Sequence, residues 1–354
     1  MALKNLLCTL LLPLLISPSL ALKPPHSQWQ TLPNITVAPR QEHATIYLPP
    51  DGIVILGGIV PNNSLTPIPF FSTTLVQIYS IKRNTWRTVA PLPKRLNHVN
   101  AAAVDGKIYV FGGLDDGGEE QKILRAVPDS WVYDTHADTW SPLPPLPEAR
   151  GMAGLGVFEG KIFVAGGFTA LGLAGGGPHE SVDPVSVFDT ATLKWLPDFL
   201  PQKARALPQK RDHAATAVID DKMYVIGGFD HGAAHRRDTV FILNFRDLEA
   251  GWKTSKATMP TPRGGMASGV VGKKIYTLGG EGNPDAESGV FNQVEVYDTL
   301  SNTWTQLEPM KIPKHSSPGT GVGGKVYIPG GGLVAGADPQ SLFEAYVPGC
   351  DRGW

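Results

Sequence analysis

An all-β fold of six repeated four-stranded sheets is what this sequence predicts, and three observations carry the prediction. A line of residues ending in a glycine pair recurs six times along the 354-residue chain, every 51 to 61 residues. Each copy is a short β-branched and aromatic run bounded by turn residues, which is the pattern of a strand and not of a helix. The composition, with Gly 40, Pro 32 and 42% hydrophobic residues, suits many short strands and tight turns and is too apolar for a disordered chain. A fixed period of this length marks a radial or solenoid array, so the repeat, and not chain length, sets the domain count.

The six copies occupy residues 52–58, 107–113, 161–167, 222–228, 274–280 and 325–331, in forms such as Lys-Ile-Tyr-Val-Phe-Gly-Gly. Most follow a turn pair such as Asp105-Gly106 or Gly323-Gly324. Ahead of the turn lies a run of small residues, at 100–104, 152–157, 213–218 and 266–271. Small side chains are what a strand needs where several sheets converge on one axis, so these runs are expected to be the innermost strands. After each glycine pair comes a loop, then an aromatic-acid pair with a tryptophan seven residues after the aromatic. Tyr133, Asp134 and Trp140 fit this spacing, as do Phe188, Asp189 and Trp195, and Tyr297, Asp298 and Trp304. Tyr79 and Trp86 keep it with Ser80 in place of the acid, while the fourth copy is looser, with Leu243 and Trp252. These are the expected third and fourth strands.

Four strands per unit, a glycine pair ending the second and an aromatic–tryptophan pair in the outer two together resemble the kelch repeat of β-propeller proteins. The resemblance covers residues 22–354 and implies a six-bladed kelch β-propeller. After Tyr346 the chain offers only Trp354, one residue off the usual spacing, whereas Trp29 precedes the first unit without a partner. A ring closed by an N-terminal strand near Trp29 is the expectation, since closure protects sheet edges. The chain is similar to the secreted single-domain kelch proteins of filamentous fungi.

Lys4, the apolar run 6–16 and Ser19-Leu20-Ala21 read as a secretory signal over 1–21, leaving 22–354 as one propeller domain. The apolar run is shorter than the roughly 20 residues that a membrane span needs. A secreted, extracellular protein with no membrane association after cleavage is expected. Cys8 would leave with the signal and Cys350 would have no internal disulfide partner, so core packing must supply stability. Sequons at Asn34 and Asn62 fit a glycoprotein. A net charge of -1 without long charge runs argues against nucleic acid as a partner.

In a four-stranded blade the loops between blades and those after the second strand emerge on one face. One cation per repeat stands ahead of the innermost strand: Arg40, Arg95, Arg150, Arg211, Arg263 and Lys314, with His43, His98, His213 or His315 close by. Such a ring could hold a small anionic or polar ligand through bidentate guanidinium contacts. The structural alternative is that these residues, which belong to the kelch pattern itself, secure loops and neighbouring blades. On the ligand reading, Arg95→Ala or Arg263→Ala should impair binding more than folding. The loops after the glycine pairs vary: 114–120 is acidic, 168–178 is glycine-rich and explained most simply by flexibility, and 281–288 carries Glu281, Asp285 and Glu287. Asp230, His231 and His235 form a weak metal pattern that reads more simply as solvated loop residues, so no metal and no cofactor is expected.

Galactose-oxidase-like chemistry needs a tyrosine–cysteine crosslink, and after signal removal only Cys350 remains. The Glu-x3-Asp-x3-His iron motif of the plant kelch specifier proteins is also missing. Similarity to bacterial sialic-acid mutarotases would imply an arginine with an acid on the propeller face, either Arg40 with Glu42 or Arg150 with Glu148. The expected function is a secreted binding or interaction protein whose partner is a small ligand or another protein. The alternative is a cyclase of the cycloaddition type, an isomerase or an epimerase in secondary-metabolite biosynthesis, because a shaped pocket with a few donors can suffice for a cycloaddition.

Overall fold

A computed structural model describes residues 28–62, 69–117, 123–173 and 177–349. The expected signal, Cys8, Cys350, Trp354 and the Asn63-Ser64 part of the second sequon lie outside them. Asn34 is exposed.

The repeats fold into antiparallel strand sets. The first set is Ala44–Leu48, Gly52–Leu56, Val76–Ser80 and Thr85–Val89, hydrogen-bonded in that order. Four such four-stranded sheets stand separately among the described residues. The second and third sets share one eight-stranded sheet, because their middle strands, Lys107–Asp115 with Ile123–Asp134 and Lys161–Gly172 with His179–Asp189, run on past the glycine pair as long hairpins. Leu124 sits opposite Leu171 where the two hairpins join. Residues 168–172 of the glycine-rich stretch are therefore strand and not the flexible loop expected, while 174–176 lie outside the described residues. The first strands of successive sets, Ala44–Leu48, Ala101–Val104, Gly154–Phe158, Ala215–Ile219, Ala267–Val271 and Thr320–Val322, neighbour one another, and the last also neighbours the first. The result is an all-β propeller. Its inner strands carry the small residues, and Ala101, Ala102, Ala153 and Gly319 line a cavity of about 310 Å³ between them.

The aromatic–tryptophan pairs meet across the outer two strands, Tyr79 opposite Trp86, Tyr133 opposite Trp140 and Tyr297 opposite Trp304, with ring centroids 5.0–5.3 Å apart. The indole N–H then reaches the neighbouring set. Trp86 donates to the Pro33 carbonyl at 2.8 Å, Trp140 to Ala90 at 3.0 Å and Trp195 to Pro144 at 3.0 Å. One residue type thus packs its own sheet and ties it to the one before. The acid after each aromatic caps the turn between the outer strands: Asp134 accepts from the His136 and Ala137 N–H groups, and Asp298 from Leu300 and Ser301.

Gln28–Thr31 pairs with Phe343–Val347, placing Trp29 opposite Tyr346 at 5.1 Å, so the N-terminal segment is the outer strand of the last sheet. Trp29→Ala should lower stability by about 2 kcal/mol, less than a fully buried aromatic would cost because Trp29 is half-buried. Urea unfolding checks this, and an unchanged midpoint would mean that the strand adds nothing.

Candidate functional site

The segments leading into the innermost strands share one geometry. Arg40, Arg150, Arg211, Arg263 and Lys314 are at most 1% exposed, and each turns back into its own sheet. Arg40 donates to the Gly57 carbonyl at 3.0 Å and to Gln77 at 2.8 Å, and Arg150 to the Val164 carbonyl at 3.1 Å and Ser186 at 2.8 Å. Arg211 donates to Thr239 at 2.9 Å and lies over the Phe241 ring, and Lys314 pairs with Glu344 at 2.7 Å. Arg263 bonds the Gly279 carbonyl at 2.7 Å and pairs with Glu295 at 2.5 Å. Arg95 is exposed, and the register shows why: Leu96, fully buried, holds the position that the other five cations occupy. Contrary to expectation, none of the six lines the axial cavity. The hydrogen bonds that these cations make go to strand carbonyls and side chains of their own sheets, although the buried Nε of Arg40, Arg150 and Arg211 has no partner.

The next residue in each segment bridges to the one just after the glycine pair: Gln41 to Ile59, Asn97 to Leu114, Gly151 to Phe168, Asp212 to Phe229, Gly264 to Glu281 and His315 to Gly332. The third residue, Glu42, His98, Met152, His213, Gly265 or Ser316, has a positive φ of 47–63° in every case. In five of the six its N–H donates to the equivalent carbonyl of the preceding set: His98 to Glu42 at 2.8 Å, Met152 to His98 at 2.8 Å, Gly265 to His213 at 3.0 Å, Ser316 to Gly265 at 2.7 Å and Glu42 to Ser316 at 3.1 Å. Non-glycine residues held in this region cost of order 1–3 kcal/mol each and gather at functional sites.

Above these residues opens a cavity of about 440 Å³. Its walls are apolar, formed by Ile59, Phe70, Phe229 and the hairpin residues Leu124, Leu171 and Leu173, and its floor holds Glu42, His98, His179, His213 and Glu281. Glu42 Oε2 lies 3.2 Å from His98 Nε2 and 4.0 Å from His213 Nε2. Asp212 lies behind the floor, 2.6 Å from His213 Nδ1 and 3.0 Å from His179 Nε2, and accepts a hydrogen bond from Ser181. Beside them His315 Nδ1 faces Glu281 at 3.2 Å.

Charge and burial compete in this layer. Burial raises the Glu42 carboxyl against the opposing charge of His213. Burial, with the charges of His213 and His179, takes the His98 imidazole well below its ordinary value. Burial would lift Asp212, but hydrogen bonds from His179 and His213 hold it far below the usual carboxylate range. Burial would lower His213, yet the Asp212 carboxylate, with Glu42 and Glu281, pushes it up to about 9. The floor therefore brings together two imidazoles shifted in opposite directions and a desolvated carboxyl.

Other expected residues fall elsewhere. Glu148 is exposed, and Arg150 donates to its carbonyl, so that pair does not reach the cavity. Arg40 and Glu42 diverge, the first into the sheet and the second onto the floor. Asp230 is engaged by Arg237 and His231, while His235 bonds the His231 carbonyl, and the three form no ligand set. Asp212 and His179 were not singled out from sequence. The usable signal is a spacing, because Glu42 and His213 stand two positions after Arg40 and Arg211, and His98 two after Leu96, which takes the place of a cation.

A profile described as the KLHDC2/KLHL20/DRC7 Kelch-repeats domain matches residues 145–331, and the Kelch motif matches 95–147. The chain is 37% identical over 329 residues to Kelch-like protein terF of Aspergillus terreus, covering 91% of this chain and 68% of that protein. It is 29% identical over 263 residues to Kelch-like protein 25 of Xenopus tropicalis, of which it spans 41%, and 24% identical over 302 residues to Beta-scruin of Limulus polyphemus, of which it spans 31%. Proteins built on this repeat are generally interaction modules. With a profile that matches more than half of the chain and a relative 37% identical over 91% of it, the chain belongs to the kelch-repeat family of β-propellers.

Proposed function

We propose that this propeller binds a small, largely apolar molecule in the axial cavity, with the molecule's polar end on Glu42, His98 and His213. The observation that carries the reading is the cavity itself, whose apolar walls enclose a few convergent polar groups in the manner of small-molecule sites. Because the cations lie inside the sheets, an apolar guest with one hydrogen-bonding end fits better than the small anion that an arginine ring would have favoured. A thermal-shift screen tests this, since a ligand at 100 times its Kd adds about 2.7 kcal/mol of stability. The shift should vanish in Leu171→Trp, which fills the cavity from its wall. A screen without hits, or a shift that survives Leu171→Trp, would send the reading back to a protein partner.

A second reading, favoured by the buried Glu42 carboxyl between two imidazoles, is proton-transfer chemistry on the bound molecule, as in an isomerase, epimerase or cyclase of secondary metabolism. In that case Glu42→Gln should retain binding and lose turnover. Our proposal also takes the propeller as a six-bladed ring closed by the N-terminal strand and exported after removal of residues 1–21, with a glycan at Asn34. The bond from the Glu42 N–H to the Ser316 carbonyl, which joins the first repeat to the last, supports the closure, and the exposure of Asn34 is compatible with the glycan.

A further inference from the structure

The floor of the cavity has the geometry of a metal site. One ligand atom from each of Glu42, His98 and His213 lies within 4.8 Å of the other two, and all three residues are buried. In a tetrahedral centre with bonds of about 2.0–2.1 Å, donor atoms stand roughly 3.3 Å apart. The separations of 3.2 and 4.0 Å from Glu42 Oε2 are close to that. Both Glu42 Oε2 and His98 Nε2 are buried atoms with no hydrogen-bond partner, which is costly for a polar atom unless something occupies the space between them.

The atoms behind the donors fit as well. His213 Nδ1 is held by Asp212 at 2.6 Å, and His98 Nδ1 by the Asn97 side-chain oxygen. Asn97 is fixed in that orientation because its amide N–H donates to Ser72 at 2.7 Å. A proton on each Nδ1, held by an oxygen acceptor, directs each Nε2 toward Glu42, and this is the arrangement that orients histidines bound to metals. The three donors line the cavity, which would leave coordination positions open to it, as in a catalytic and not a closed structural centre.

We propose that Glu42, His98 and His213 bind one divalent first-row transition cation, zinc or iron(II), with its open positions facing the cavity. Two imidazoles and one carboxylate are the donor set that these ions share. Among soft and hard alternatives, the absence of a thiolate from the three donors disfavours copper(I), and two nitrogen donors disfavour calcium and magnesium. The site requires only the floor residues, and so goes beyond the organic guest proposed above and does not depend on it.

The test uses the full mature chain, purified without a histidine tag, stripped with a chelator and titrated with cobalt(II) and then with zinc. Expected are one equivalent of metal per chain by elemental analysis and visible cobalt absorption that zinc displaces. His98→Ala should abolish uptake, and Asn97→Ala should weaken it by about 10–100-fold, the usual effect of removing an orienting partner. Circular dichroism shows whether each variant is folded, and if His98→Ala is not, the wild-type and Asn97→Ala titrations decide. Folded wild-type chain that takes up no metal at micromolar concentrations would overturn the proposal. So would uptake that disappears in a His231→Ala, His235→Ala variant, which would place the metal on the exposed loop after Gly228.

Discussion

Arg263→Ala should cost about 3–5 kcal/mol of stability, the effect of removing one partner from a buried ion pair and leaving the other charge desolvated. Both Arg263 and Glu295 are fully buried, and their network is closed: Glu295 also accepts from Thr261 at 2.7 Å, while Arg263 reaches the carbonyls of Gly279 and Thr261 and the hydroxyl of Thr277. Those bonds join the inter-blade segment to the second and third strands of the same sheet, so the loss spreads over three elements. Glu295→Leu added to Arg263→Met should recover much of the stability, because a buried pair replaced by packed apolar groups is often neutral. Arg95→Ala, in contrast, changes an exposed side chain and should stay within about 0.5 kcal/mol. Denaturant titration of the three variants checks the ordering. If Arg263→Ala were as stable as Arg95→Ala and had lost ligand binding, the expectation of a ligand-facing cation ring would be reinstated.

That expectation shows where sequence reasoning stopped. The repeat was legible because strand period, glycine pair and tryptophan spacing are local features, each with a local physical cause. The direction of a long side chain is not local. Arg40 and Glu42 are two residues apart, but the strained φ of 52° at Glu42 sends its carboxylate to the axis while Arg40 finds its partners in strands that lie 17 to 37 residues further on. Arg95 misled for another reason: the second segment carries its ring residue one place later, so that Leu96, and not Arg95, corresponds to the buried cations. The hairpin walls could not be read at all from glycine content, since a glycine-rich run supports a flexible loop and an extended hairpin equally, and pairing across two repeats decides between them. His98 and His213 stand beside the cations in the sequence, but only the fold makes them neighbours, with rings 5.2 Å apart across 115 residues of chain.

The glycine pair gives the second large prediction, because it separates two costs that usually come together. Gly279 has φ +65°, and a Cβ there would lie 2.1 Å from the Lys314 carbonyl oxygen of the next repeat, a backbone atom that cannot swing aside. The same carbonyl accepts the Gly280 N–H at 2.9 Å, so moving it breaks a bond between two sheets. Gly330 stands in the equivalent relation to Arg40, 2.3 Å from its carbonyl oxygen, which ties the last repeat to the first. Gly106 has a similar φ of +73° in the turn between two strands, with nothing within 4 Å of its would-be Cβ. Gly106→Ala should therefore cost only the left-handed penalty, about 1–2 kcal/mol. Gly279→Ala adds the displaced carbonyl and the broken bond, a further 1–3 kcal/mol for a buried group left unsatisfied. Chemical denaturation of both variants should place Gly279→Ala well below Gly106→Ala. Equal losses would mean that the glycine pair is selected for its φ alone. A clear excess at Gly279 would mean that it is selected because adjacent sheets must pass within backbone contact, the same close approach that brings Glu42, His98 and His213 onto one floor.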